Sequence, residues 1–203
     1  MDIVTSIEEL EQLYDSPVDT SLLKITDHIT PLQREYVDAS PFVVLATVGP
    51  EGVDVSPRGD PAGFVRVVDQ RTLQLPDRRG NNRLDSLRNI VRDPRVSLLF
   101  LVPGVGVTLR VIGDAVLRTD LELRRDFEID GKLPATVIEI AVTQAYTQCP
   151  KALIRSDLWN PERFRQASEL PSVGQINQAI TDGAFDGAAY DAAYPERIRQ
   201  TIY

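Results

Sequence analysis

Cysteine, histidine, lysine and long apolar runs are all scarce in this chain of 203 residues. Cys149 is the sole cysteine and His28 the sole histidine. One cysteine excludes a disulfide within the chain and a thiolate metal cluster. One histidine removes His-rich metal sites and weakens any nucleophile–histidine–carboxylate triad. No apolar stretch approaches the roughly 20 residues that span a bilayer, so no membrane partner is expected. The opening stretch, residues 1–12, is acidic and lacks the make-up of a secretory or transit leader, and a cytoplasmic location is the expectation. With no metal site and no catalytic side chain indicated, any chemistry is expected to come from a bound cofactor.

What is present is the balance of a globular protein, 42% hydrophobic and 26% charged. A chain of this size can bury about 70% of its unfolded surface, enough for a substantial core. The net charge of −8 argues against nucleic acid as a partner, because phosphate contacts need a basic face. That total conceals an asymmetry: residues 58–95 carry 9 positive and 5 negative charges, whereas residues 1–57 carry 2 and 11. Every cation of the middle segment is arginine, which points to a small anionic partner there rather than to a polyanion.

Periodicity and turn residues set out the elements. Ser6 and Glu9 predict a capping box for a helix over 7–14, and Thr30, Pro31 and Gln33 predict a second helix that Ser40-Pro41 ends. Strands are predicted at 42–48 and 53–56 across Gly49-Pro50-Glu51-Gly52, at 63–68 and 71–75 across Asp69-Gln70, and at 96–102, 107–118 and 136–146. Gly113 is expected to mark a bulge or bend. Helices are predicted at 83–91 and, capped by Asp120, at 121–128. About seven strands in antiparallel hairpins with short helices between them describe a mainly β protein, a β-barrel with peripheral helices. Residues 160–203 read as helical and weakly amphipathic, an arm suited to packing on a partner.

Three segments carry chemistry. Residues 75–84 place Arg78, Arg79 and Arg83 with Gly80, Asn81 and Asn82 between a strand and a helix. A helix start offers unpaired N–H groups and a positive dipole end, Gly80 can turn those groups inward, Asn82 can cap the helix, and arginine supplies forked donors that match phosphate oxygens. An anion cradle and a solvated loop whose arginines pair with Asp77 and Asp85 both satisfy this pattern. Residues 56–63, with two Gly and two Pro, form a shaped loop after the second strand that serves either as a stiff surface turn or as a ligand wall. Lys151 and Arg155 lie four apart on one helical face with Trp159 a turn further on, an arrangement suited to a planar anion, a dimer contact or a tryptophan in the core.

Taken in order, SPRGDPAG (56–63), LPDRRGNNRLDSLRNI (75–90), DPRVSLLFLVPG (93–104), TLRVIGDA (108–115) and CPKALIRSDLW (149–159) resemble the pyridoxamine 5′-phosphate oxidase-like superfamily of FMN-binding split β-barrels. Within it they resemble a bacterial branch of FMN-dependent enzymes with no assigned substrate. The resemblance spans about residues 28–160. With that span as the barrel domain, the chain is expected to have three parts: an N-terminal helical extension over 1–27, the barrel domain over 28–160, and, outside the resemblance, a C-terminal helical tail over 161–203 packing on the barrel or the partner. The resemblance further implies a homodimer with FMN between the subunits. Val55, Ser56, Pro57, Arg58 and Gly59 would run along the isoalloxazine ring, and Leu75, Pro76 and Asp77 would follow the strand lining the cofactor. Asn82 and Arg83 match the basic phosphate-binding pair, with Asn replacing the first cation and Arg78 or Arg79 offsetting it. Thr108 and Arg110 match a strand that reaches the cofactor, and Lys151, Arg155 and Trp159 a motif that reaches the other subunit's flavin.

The implied activity is that of an FMN-dependent oxidoreductase acting at flavin N5 on an unassigned small-molecule substrate or electron donor. Arg58, Lys151 and Arg155 are candidates to stabilise the reduced ring. The Trp-and-Arg segment by which true pyridoxamine phosphate oxidases hold their substrate is not reproduced after Trp159, so vitamin B6 oxidation does not follow. The alternatives are a non-catalytic flavin carrier and a deazaflavin F420-dependent reductase. A haem protein ranks below them for want of a suited histidine, and a flavin redox sensor for want of a DNA-binding segment.

Overall fold

The computed structural model describes residues 3–203, so the first two residues of the expected N-terminal extension lie outside the described residues. Two short helices, α1 (Ile7–Glu11) and α2 (Asp19–Leu23), precede α3 (Pro31–Ala39). Ser6 caps α1 by accepting the Glu9 amide, but the Glu9 carboxylate bonds the Thr5 amide at 2.8 Å instead of closing a box on Ser6, and α1 stops earlier than the predicted 14. At α3, which starts as predicted from Thr30, Pro31 and Gln33, a full capping box forms: Thr30 accepts from the Gln33 amide, and the Gln33 side chain accepts from the Thr30 amide.

Seven strands follow: β1 (Phe42–Gly49), β2 (Gly52–Gly59), β3 (Arg66–Asp69), β4 (Thr72–Asp77), β5 (Arg95–Leu101), β6 (Thr108–Arg118) and β7 (Thr136–Gln148). Between them lie α4 (Asp85–Arg92) and α5 (Leu121–Arg125), and after them α6 (Lys151–Ser156), two 3₁₀ turns, α7 (Val173–Ile180) and α8 (Gly187–Thr201). Every strand pairing is antiparallel, in one sheet of order β2-β1-β5-β6-β7-β4-β3. A mainly β fold with peripheral helices is what the alternating segments predicted.

Two prolines explain why strands outrun their predicted ends. Pro57 extends β2 because β2 is an edge strand, where the missing N–H takes nothing from a ladder. Pro76 lies in β4 beyond Gln74, the residue that faces Arg66 at the start of β3, so its open side needs no donor. Conversely, β3 begins only at Arg66, and Phe64 and Val65 are buried ahead of it. Helix α5 is shorter than predicted and Asp120 does not cap it, because its carboxylate takes the Arg118 guanidinium at 2.8 Å.

The core lies inside the curl of this sheet. Val43 and Leu45 of β1, Leu98 and Phe100 of β5, Leu109 and Val111 of β6, and Ile138 and Ile140 of β7 are each at most 1% exposed. Helix α3 adds Val37, and α4 adds Leu87 and Ile90. Each such side chain contributes about 1.5–3 kcal/mol on burial. Between Ile112 and Gly113 the register of β6 on β7 shifts by one residue, leaving Thr143 of β7 without a partner. The bulge therefore occurs at Gly113, as expected, but its extra residue belongs to the facing strand. A Cβ at Gly113 would stand 2.2 Å from the Ala141 carbonyl oxygen and 2.9 Å from Ile140 Cγ2. Gly113→Ala is therefore expected to destabilise the fold by about 1–3 kcal/mol, read as a lower urea midpoint at unchanged slope.

Candidate functional site

Curling brings the two sides of the sheet together. Strands β2 and β4 are not neighbours in it, yet Arg58 Nη1 of β2 donates to Asp77 Oδ1 of β4 at 2.5 Å. Just beyond both strands, Arg78 Nε donates to Asp60 Oδ2 at 2.6 Å and Arg78 Nη1 to the Phe127 carbonyl at 2.6 Å. These pairs are largely withdrawn from water, the side chains of Arg58 and Asp77 being 19% and 12% exposed and those of Arg78 and Asp60 17% and 3%. Helix α4 is tied to the same place, with Ser86 Oγ donating to Asp54 Oδ2 at 3.0 Å and lying 3.1 Å from Ser56 Oγ. Asn89 anchors its far side by donating to Thr47 Oγ1 at 3.1 Å.

Between β2, the end of β4 and the start of α4 opens a cleft of about 1110 Å³. It lies just above the usual size of small-ligand sites, roughly 300–1000 Å³. Val55, Ser56, Pro57, Arg58 and Gly59 form one wall, and Pro76, Asp77, Arg78, Arg79, Asn82 and Arg83 form the other. Eleven of the predicted site residues thus converge on one cavity. Leu75 does not line it: its side chain is fully buried in the core, one position out of phase with the cleft-facing Pro76.

The loop before α4 departs from its predicted geometry. The left-handed backbone falls on Asn82 and Leu84, each at φ 61°, and not on Gly80. Asn82 does not cap the helix; Leu84 occupies the N-cap position and offers no side-chain acceptor. The first-turn amides of α4 therefore lie at the cleft with no side-chain cap, the positive end of the helix dipole among them. A left-handed leucine costs on the order of 1–2 kcal/mol, strain typical of a shaped binding loop. Arg83 pairs with Asp85 through Nε at 2.9 Å, the ion pair the solvated-loop reading anticipated, while its terminal nitrogens make no hydrogen bond among the described residues. Asn81 Oδ1 accepts the Arg83 amide at 3.0 Å and fixes the turn.

Thr108, Arg110, Lys151, Arg155 and Trp159 stand elsewhere. Thr108 faces Gln148 at the far end of β7 from Thr136, which lines the cleft. That separation is roughly 40 Å along a straight strand. Arg110 donates to the Tyr146 hydroxyl at 3.1 Å, Trp159 Nε1 donates to the Val105 carbonyl at 3.0 Å, and Lys151 and Arg155 are exposed on α6. One copy of the chain does not bring them to its own cleft.

Several lining residues escaped the sequence reading, among them Asp60, Ser86, Arg124, Ile202 and Tyr203. Asp60 lay within the quoted SPRGDPAG motif, and its pairing with Arg78 could have been suspected from charge. Nothing in the sequence placed Ile202 and Tyr203. The Tyr203 ring lies 5.7 Å from the Arg78 guanidinium. Burial, then the charge and hydrogen bonding of Asp60, push its hydroxyl above the ordinary tyrosine range, so it stays neutral at physiological pH. Among the described residues no three His, Cys, Asp or Glu side chains converge as metal ligands, and no helix is long and apolar enough to cross a membrane.

A curled antiparallel sheet with an arginine-rich cleft at its seam is a fold of the split-barrel type. A family model described as pyridoxamine 5′-phosphate oxidase matches residues 29–149, more than half of the chain, and the chain belongs to that family. Its members generally bind flavin and include oxidoreductases. No curated protein matches the chain. Among solved structures it is similar to HupZ of Group A Streptococcus, at 17% identity and TM-score 0.49, over 60% of this chain and 94% of that one. It is similar as well to a candidate pyridoxamine 5′-phosphate oxidase of Lactobacillus delbrueckii, at 23% identity and TM-score 0.47, over 60% and 95% of the two chains. A third similar structure is described as an F420 reductase, at 20% identity and TM-score 0.39, over 57% and 94%.

The seam pairs carry a stability prediction. Asp77→Ala strands the Arg58 charge in a half-dry site and is expected to cost about 3–5 kcal/mol in urea unfolding. Replacing both partners, as in Arg58→Met with Asp77→Leu, is expected to recover most of that loss, since a well-packed apolar pair substitutes for a buried ion pair at little cost.

Proposed function

We propose that the cleft binds FMN and that the protein is an FMN-dependent oxidoreductase of the pyridoxamine 5′-phosphate oxidase-like superfamily, acting on a small-molecule substrate or electron donor. The observation that carries this reading is the uncapped start of α4, with Arg79 and Arg83 beside it, at one end of a cleft roomy enough for a three-ring ligand. An anion there meets backbone amides, a helix dipole and guanidinium donors together. The donor set therefore fits a phosphate-bearing cofactor.

Arg83 would hold the phosphate with the terminal nitrogens that its bond to Asp85 leaves free. Arg79, which makes no side-chain hydrogen bond among the described residues, would supply the charge that Asn82 lacks. Val55 to Gly59 on one side and Pro76 with Asp77 on the other would flank the ring. When bound, FMN supplies hydride and electron exchange at N5 of its isoalloxazine ring. Arg58, oriented by Asp77 and by its Nε bond to Ser56, would sit at the ring as a guanidinium whose charge is already partly balanced. Lys151, Arg155 and Trp159, distant from the cleft of their own chain, fit a homodimer in which a second copy completes the site. No side chain of the cleft is required as a general acid or base, consistent with the lone histidine lying outside it.

Protein purified without added cofactor is expected to show a flavin absorbance spectrum and to release FMN on heating, identified chromatographically. A colourless protein that takes up no FMN would contradict the proposal, and release of F420 would replace the cofactor. Arg83→Ala is expected to weaken FMN by about 1.5–3 kcal/mol, roughly 10- to 150-fold in Kd by fluorescence titration. An unchanged Kd removes Arg83 from the phosphate site. Oxidation of NAD(P)H by the holoprotein distinguishes an enzyme from a carrier.

A further inference from the structure

Helices α7 and α8 form a hairpin packed chiefly on itself. A Cβ at Gly174 would lie 2.3 Å from the Gly187 carbonyl oxygen, and one at Gly187 would lie 2.5 Å from that of Gly174, so the two backbones touch. Asp191 of α8 accepts the Ser172 hydroxyl and, at 3.0 Å, the Gly174 amide. Those two glycines are the only buried residues of either helix, and Val173, Ile176 and Ile180 of α7 remain exposed. A segment that buries so little apolar surface is held weakly and opens at low free-energy cost.

What brings this hairpin to the cleft is the stretch after α8. Ile202 and Tyr203 stand in the cleft wall, Tyr203 with its ring toward Arg78 and beside Asp60, the pair that closes the seam. Pro195 lies inside α8. It has no N–H to offer the Asp191 carbonyl, which weakens the helix between the half packed on α7 and the turn that carries Tyr203.

We infer that Tyr203 is a ligand-contacting residue and that α8 carries it as a hinged cover over a planar, anionic aromatic ligand in the cleft. The identity of that ligand as FMN rests on the function proposed above. The phenol ring presents a flat apolar face to an aromatic ligand, and the hairpin has few other contacts that would keep it in place. Being neutral, the ring adds no repulsion toward an anion.

Full-length Tyr203→Ala and Tyr203→Phe test the inference with two readouts. In cofactor-free protein, trypsin cleavage after Arg197 and Arg199 reports whether the cover is docked. Tyr203→Ala is expected to be cut about three- to tenfold faster, the scale of one lost aromatic contact, and Tyr203→Phe at about the wild-type rate. In FMN-loaded protein, the rate of FMN release is expected to rise by a similar factor, about three- to tenfold, in Tyr203→Ala only. If both rates are unchanged in Tyr203→Ala, the inference falls while the flavin reading stands. Tighter FMN binding by Tyr203→Ala would also overturn it, since the ring would then occupy the ligand's place instead of covering it. If the wild type binds no FMN, the flavin reading fails, and the cover stands or falls on the cleavage rates alone.

Discussion

Guanidinium–carboxylate pairs, not backbone hydrogen bonds, join the curled sheet where β2 approaches β4. A β-ladder would draw the strands to about 4.8 Å and seal the barrel. Side chains as long as Arg58 and Arg78 reach across a wider gap to Asp77 and Asp60, so the sheet is tied and still leaves room for a ligand. Pro57, which has no N–H, and the charged Arg58 also blunt the β2 edge as a template for another strand. The low exposure of the two ion pairs makes them consequential: a buried charge is tolerated only with its partner in place. Stability and site are therefore built from the same four side chains.

Electrostatics at the cleft follow from which arginines are already matched. Of the nine in residues 58–95, Arg58, Arg66, Arg71, Arg78, Arg83 and Arg95 each pair with an aspartate. Arg79, Arg88 and Arg92 make no ion pair among the described residues, and the last two lie on α4. The positive excess of the segment is thus concentrated around one helix whose start already carries partial positive charge. Most of the matched pairs are solvent-exposed and contribute at most about 1 kcal/mol each, so their effect is on the distribution of charge more than on stability. Asp27 illustrates it: hydrogen bonds from His28 and Arg71 hold its carboxyl down at about 2, with little consequence for the cleft.

Interactions between near neighbours were legible in the chain. Apolar β-rich runs, turn residues and, at 107–118 and 136–146, alternation located all seven strands to within a few residues, because these are short-range patterns that hold whatever the sheet does later. The helix start at Thr30-Pro31 and the bulge at Gly113 were legible for the same reason, each depending on a short stretch and a steric limit. The crowding of glycine, asparagine and arginine into residues 75–84 suggested an anion cradle or a solvated loop, and residues 55–59 were assigned through the family resemblance; the fold brings 55–59 and 76–83 to one cavity. The loop before α4 was misread in detail. Gly80 was given the left-handed turn by propensity, whereas the surrounding packing imposes it on Asn82 and Leu84 at a cost the rest of the fold absorbs.

By itself the sequence determined the strand inventory, the scarcity of cysteine and histidine, and the arginine-rich segment over 58–95, since composition and short-range periodicity act before the chain folds. Only the tertiary structure decided that Arg58 meets Asp77, that Arg79 has no ion-pair partner among the described residues, that Lys151 and Trp159 lie outside the cleft of their own chain, and that Tyr203 stands in its wall. Such contacts join residues distant in the chain. Their selection depends on how the whole sheet curls and where charge is excluded from water, quantities that no local pattern encodes.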